Sequence, residues 1–121
     1  MTLADLIEVL KADVVVAAAD PRVEVTGCFA ADLMSDVLAF GRQGSALITG
    51  LTTDQTIRTA AIRHLLAVVV IEGKDVGSDM LEAAQEEGMP VLRTPLSKYE
   101  ACGRLMQAGL RPYRKGVSVP Q

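Results

Sequence analysis

The stretch SALITGLTTDQTIRTAAIRHLLAVVVIEG, residues 45–73, contains two short apolar runs separated by a segment with helical spacing. Residues 46–49 predict a strand, and residues 53–64 predict a helix with Ile57 and Ala60 on its buried face. Residues 67–71 predict a second strand. Its positions are all apolar, which is typical of a parallel strand covered on both faces. The stretch therefore indicates an α/β fold.

The sequence that follows continues this alternation. A helix capped by Ser78 is expected next, and residues 91–94 predict the last strand. Ser97 and Glu100 have the spacing of a capping box, which starts a final helix that ends at Gly109. The pattern indicates a parallel or mixed sheet with helices on both faces.

The amino-terminal part is less regular. Residues 3–10 predict a short amphipathic helix, residues 14–17 a strand, and residues 32–40 another helix. Residues 22–29 alternate as a strand does until Gly27 interrupts the pattern.

The composition restricts the function classes. A chain of 121 residues, half of them hydrophobic, can form one domain with its own core. The net charge of -3 and the few scattered aromatic residues disfavour nucleic acid as a partner. The apolar runs are too short to span a bilayer and Cys28 and Cys102 have no disulfide framework, so we expect a cytoplasmic protein without membrane contact.

Candidate ligand contacts come from the expected strand ends, because open α/β sheets bind ligands outside the carboxyl ends of their strands. Hydroxyl-bearing residues and glycines dominate these positions, and Lys74 or Arg93 could add positive charge. The alternative for residues 49–54 is an ordinary turn with a threonine cap. The predicted ligand site consists of Thr26, Gly27, Thr49, Gly50, Thr52, Thr53, Glu72, Gly73, Thr94 and Ser97.

No catalytic, cofactor or metal site is predicted. Asp32 and Asp36 lie one helical turn apart and could share a divalent metal, but a solvated helix face with Asp32 as its cap is the favoured interpretation. Neither Cys28 nor Cys102 has an obvious basic partner that would lower the pKa of its thiol. We therefore expect a protein that is not an enzyme.

Asp20, Arg22, Thr26 and Gly27, the last two within VEVTGCFAADLMSDVLA, resemble the signature that gives the DRTGG domain its name. The stretches LITGLTTDQTIRTAA, LAVVVIEGKDV and AAQEEGMPVLRTPLSKYEACGRL resemble the body of that family. The sequence departs from the signature at Cys28, which stands at the second glycine, and at Pro21, which separates the Asp from the Arg.

The resemblance implies a three-layer α/β/α domain with a mixed, largely parallel sheet. It is similar to the amino-terminal domain of HPr kinase and to the DRTGG domains of phosphotransacetylases and CBS-domain pyrophosphatases. A stand-alone member is expected, with a DRTGG-like domain over residues 1–109 and a flexible tail over residues 110–121, which lack an apolar period.

The resemblance and the hydrophobic composition together support two possible functions. The first is a non-catalytic regulatory or signal-transduction module that senses an adenine nucleotide or another small anion and acts on a partner enzyme or kinase. The alternative is a homodimeric protein–protein interaction module with no small-molecule ligand. A homodimer is expected in both cases, because a small, largely hydrophobic domain has limited interior in which to hide its apolar surface.

Overall fold

The computed structural model describes residues 1–112, in which five strands form one sheet of order β1-β5-β4-β3-β2. Strands β2 to β5 are mutually parallel, and β1 pairs antiparallel with β5. The sheet is therefore mixed and largely parallel, as predicted. The strands are β1 Asp13–Val16, β2 Gly27–Ala30, β3 Ser45–Thr49, β4 Ala67–Val70 and β5 Val91–Arg93, and the helices are α1 Leu3–Val9, α2 Met34–Phe40, α3 Asp54–Ile62, α4 Ser78–Glu87 and α5 Lys98–Gln107.

Helices cover both faces of the sheet. All residues of the central strands β3 and β4 are buried, and their side chains alternate between two hydrophobic cores. Leu47 and Val68 pack in the core formed with α2, α3 and α4, whereas Ile48 and Val69 pack in the core formed with α1 and α5. The prediction of a three-layer α/β/α domain is confirmed.

Local capping explains where several helices begin. The Ser97 hydroxyl accepts from the Glu100 amide in the predicted capping box, and Thr53 caps α3. Two predicted caps are wrong. Gly77, and not Ser78, precedes α4. The residue that precedes α2 is Leu33, which has no polar side chain, and the Asp32 carboxylate accepts from the Gly50 amide instead.

The chain from β2 to β5 crosses the sheet one strand at a time, so the parallel strands end at one edge. We call this the carboxyl edge, defined by Ala30, Thr49, Val70 and Arg93, and we call the opposite end the amino edge. The turns into α2, α3, α4 and α5 all leave from the carboxyl edge.

The packed part of the chain extends past Gly109. Leu110 is buried in the core with α1 and α5, and the Arg111 carbonyl accepts from the Cys28 amide at 3.2 Å. Pro112 forms a parallel bridge with Cys28 at the outer edge of β2. The expected tail therefore does not begin at residue 110, because an apolar side chain and backbone pairing hold its first residues. Residues 113–121 lie outside the described part.

No helix within residues 1–112 has the length and apolar content that crossing a membrane requires. The helices α4 and α5 have 10 residues each, whereas a spanning helix needs about 20.

Candidate functional site

The predicted site residues, apart from Thr26 and Gly27, lie at or directly after carboxyl ends of parallel strands. Thr49, Gly50, Thr52 and Thr53 end β3 and lead into α3. Glu72 and Gly73 follow β4, and Thr94 and Ser97 follow β5. The fold therefore brings these turns to the carboxyl edge.

Thr26 and Gly27 lie at the amino edge, so their assignment to the same site is wrong. Gly27 is the first residue of β2 and pairs with Ser45, the first residue of β3. The Thr26 amide donates to the Gly44 carbonyl at 3.0 Å, and its hydroxyl donates to the Gln43 carbonyl at 3.2 Å. The physical reason is that β2 begins at Gly27, the last residue that matches the signature, so the signature precedes this strand and does not follow it.

Thr49 and Thr94 are fully buried and support the turns from inside. The Thr49 hydroxyl accepts from the Leu51 amide at 3.1 Å, and the Thr94 hydroxyl accepts from the Leu96 amide at 3.2 Å. Thr94 also donates to the Leu10 carbonyl at 2.7 Å. Each hydroxyl accepts from the amide two residues ahead and so closes its turn. For Thr49 this agrees with the alternative of an ordinary turn over residues 49–54.

Asp32, two residues after β2, is the centre of a hydrogen-bonded group that we call the Asp32 cluster: Asp32, Thr49, Gly50 and Lys98. Its Oδ1 accepts from the Gly50 amide at 2.8 Å and from the Thr49 hydroxyl at 3.1 Å. Its Oδ2 accepts from Lys98 Nζ at 2.5 Å. The carboxylate thus joins the turn after β2 to the turn after β3 and to the start of α5.

These contacts hold Asp32 in its ionised form. The hydrogen bond from Lys98 is the largest effect that lowers the pKa of Asp32, and the bonds from Gly50 and Thr49 add to it against the opposing effect of burial. The Asp32 side chain is 50% exposed and the Lys98 side chain 39% exposed. A solvent-borne anion can therefore reach the cluster.

A second lysine flanks Gly50. Lys74 Nζ donates to the Gly50 carbonyl at 3.2 Å. A Cβ atom on Gly50 would lie 2.9 Å from that Nζ and 3.7 Å from Asp32 Oδ1, so glycine permits this close approach. Arg93 instead lies 3.8 Å from Asp13 and 3.9 Å from Asp75. Of the two predicted sources of positive charge, Lys74 is therefore the one beside Gly50.

Sequence reasoning missed Asp32 and Lys98 as members of this site. The sequence pattern favours a solvated helix face for Asp32, and it indicates no role for Lys98. The available signal for Asp32 is its position three residues after the strand expected over residues 22–29. Among residues 1–112, no group of three or more His, Cys, Asp or Glu side chains has the placement of a metal site.

The fold does not activate the cysteines. Burial, with a smaller contribution from Cys102, raises the pKa of Cys28 to about 11. Burial also raises the pKa of Cys102, although the charge of Lys98 opposes this. Both thiols are therefore protonated at neutral pH and are poor nucleophiles.

Two surface depressions lie away from the Asp32 cluster. One of about 620 Å³ is lined by Ala18, His64 and Met89 among others, at the amino edge. Another of about 470 Å³ is lined in part by Met1, Thr26 and Leu110. Neither depression includes a residue of the Asp32 cluster, whose two charged side chains are partly exposed.

Comparisons with known proteins agree on the family. The family model of the DRTGG domain matches residues 5–108. A similar solved structure contains the CBS and DRTGG domains of the regulatory region of Clostridium perfringens pyrophosphatase, complexed with the activator diadenosine tetraphosphate. It is 17% identical, with a TM-score of 0.75 over 91% of this chain and 47% of that chain. No curated protein matches this sequence. Because the family model spans most of its length, the chain belongs to the DRTGG domain family.

Proposed function

We propose that this domain is a non-catalytic, cytoplasmic regulatory module. It binds a small anion of the adenine-nucleotide class at the carboxyl edge and acts on a partner enzyme or kinase. The observation that carries the proposal is the Asp32 cluster, in which a backbone amide, a hydroxyl and an ammonium group converge on one carboxylate. Donors of these kinds also bind phosphate oxygens.

Lys74 and Lys98 supply the charge that such a ligand needs. Lys74 is exposed and donates to the neutral carbonyl of Gly50, so a phosphate would be a stronger partner for its ammonium group. Lys98 is shared with Asp32, and an incoming phosphate would compete for its ammonium group. Thr52 and Gly73 lie on the same rim and would line the ligand.

The way in which the signal passes to a partner follows from the position of Asp32. Its carboxylate connects the turn before α2 with the first residue of α5. A ligand that draws Lys98 away from Asp32 weakens this connection and changes how the two helix starts are held. The similarity to a regulatory region crystallised with a dinucleotide activator supports the choice of adenine nucleotides as the first ligands to test.

A thermal-shift panel tests the proposal with AMP, ADP, ATP, diadenosine tetraphosphate and inorganic phosphate. A ligand at about 100 times its dissociation constant adds about 2.7 kcal/mol of stability, so at least one nucleotide should raise the Tm by several degrees and inorganic phosphate by less. Thr52→Glu should remove the shift and leave the unliganded Tm unchanged, because a carboxylate near the start of α3 is favourable for the helix.

Gln43→Glu is the matched control. It adds the same charge at an exposed position of the amino edge and should keep the ligand shift. The proposal is wrong if no nucleotide shifts the wild-type Tm, if Thr52→Glu retains the full shift, or if phosphate alone acts as strongly as the nucleotides.

A further inference from the structure

The outer face of α5 presents apolar side chains to solvent. Tyr99 is 90% exposed and Met106 is 74% exposed, whereas Ala101 and Leu105 on the opposite face are fully buried in the core. Gly103 lies between Tyr99 and Met106 on the outer face, and a depression of about 490 Å³ runs over this part of the helix. Nothing within residues 1–112 covers these side chains, as their exposure shows.

Gly103 has no evident role in the fold of one copy. It lies inside α5, where glycine costs about 1 kcal/mol relative to alanine. A Cβ atom at this position would meet no atom within 4 Å, and Gly103 is not among the glycines with positive φ. The absence of a side chain there is useful to a helix that approaches α5 from outside.

We propose that α5 is a self-association surface and that its occupant is α5 of a second copy, antiparallel about a two-fold axis at Gly103. The argument for this surface does not rest on the proposed ligand site. At about 100° per residue, the outward residues form two rows on either side of Gly103. Tyr99 and Met106 form the apolar row. The polar row consists of Glu100, Arg104 and Gln107.

The two rows determine the orientation of the pair. Antiparallel pairing about a two-fold axis places the apolar row of one helix against the apolar row of the partner, and the polar row against the polar row. Tyr99 then faces the partner's Met106, a favourable contact between sulfur and an aromatic ring, and Glu100 faces the partner's Arg104. Parallel pairing would place the apolar row against the polar row. Charge and apolar complementarity therefore both select a second, antiparallel copy.

The expected association is weak and reversible. Standard interfaces bury about 1,200–2,000 Å², and one pair of helices of 10 residues each covers less than that. We expect dimer formation to depend on concentration in the range from about 10 to about 500 µM, which corresponds to a binding free energy between the micromolar and millimolar reference values.

Sedimentation velocity of the full chain over this concentration range tests the proposal. The wild type should show a sedimentation coefficient that rises with concentration. Met106→Glu buries a charge at the contact and Gly103→Leu blocks close approach, so both variants should remain monomeric. Circular dichroism should show both folded, and Gly103→Leu should have a monomer Tm at least as high as the wild type.

Ile62→Glu is the matched control because Ile62 is 65% exposed and lies at the end of α3, on the other face of the sheet. It should self-associate as the wild type does. A wild type that stays monomeric at every concentration overturns the proposal. So does dissociation by Ile62→Glu, or a dimer that survives both α5 substitutions.

Discussion

Asp32 and Lys98 are 66 positions apart in sequence, and a 2.5 Å hydrogen bond joins the Asp32 carboxylate to the Lys98 ammonium group. The same carboxylate accepts from the Gly50 amide, so the turns after β2 and β3 and the start of α5 are held by one ionised side chain. This arrangement connects three segments of the candidate site, and residues 1–112 contain no disulfide or metal-type side-chain cluster that could do the same.

Asp32→Asn should lower stability in a pH-dependent way. The pKa of Asp32 is depressed in the folded protein, so its stabilising contribution is complete above the ordinary value of about 3.8 and is lost as the pH falls through the lower folded value. Because the group is half exposed, we expect a loss of about 1 kcal/mol at neutral pH. Urea unfolding at about pH 7, 5 and 3 measures it.

Asp36→Asn is the control for this measurement, because it removes the same charge from an exposed position on α2. It should change the free energy of unfolding by less than about 0.5 kcal/mol. An Asp32→Asn penalty that equals the control at neutral pH, or that persists unchanged in strong acid, would contradict the assigned role of the carboxylate.

Gly50→Ala should weaken nucleotide binding without unfolding the domain. The new Cβ would lie 2.9 Å from Lys74 Nζ, which is the movable end of a flexible side chain, so Lys74 shifts and the backbone stays in place. We expect a loss of about tenfold in affinity, or about 1.4 kcal/mol, measured by calorimetric titration. Gly77→Ala, where a Cβ meets nothing within 4 Å, should bind as the wild type does. Equal affinities for both variants would exclude Lys74 from the site.

Thr94→Val should destabilise the fold more than its small change in shape suggests. The buried hydroxyl donates to the Leu10 carbonyl and accepts from the Leu96 amide, so valine leaves both groups without this partner. An unsatisfied buried group costs about 1–3 kcal/mol, which urea unfolding would detect. Thr52→Val, at a half-buried rim position, should cost less than about 0.5 kcal/mol. Similar losses for the two variants would show that the buried hydroxyl has no special role.

The β3–α3–β4 unit could be predicted well because its signals are local. The apolar runs at residues 46–49 and 67–71 agree with β3 and β4 to within one residue, and the threonine cap expected at the start of α3 is Thr53. The prediction of one strand over residues 22–29 is wrong, because β2 begins only at Gly27. Residues 23–25 bond instead to the amino terminus, with Leu3 donating to Val23 and Val25 donating to Met1. For the same reason, Thr26 and Gly27 lie at the amino edge and not at the carboxyl edge.

The site was predictable only in part. The carboxyl edge could be predicted from the hydroxyl-bearing residues and glycines at the strand ends, because neighbouring parallel strands end at the same edge of the sheet. The approach of Lys98 to Asp32 could not be predicted, because it requires α5 to cross back over the sheet toward β3 and β2 on the face opposite α2. The sequence contains no residue spacing from which the path of α5 across the sheet could be predicted.

The most direct test of the proposed ligand site is a titration of the ¹⁵N-labelled chain with ATP, followed by amide chemical shifts. We predict that the amides of Gly50, Thr52 and Gly73 shift with a common saturation curve, whereas those of Gly27 and Gly44 at the amino edge do not. Shifts confined to the amino edge, or no saturable shift for ATP or diadenosine tetraphosphate, would contradict the account.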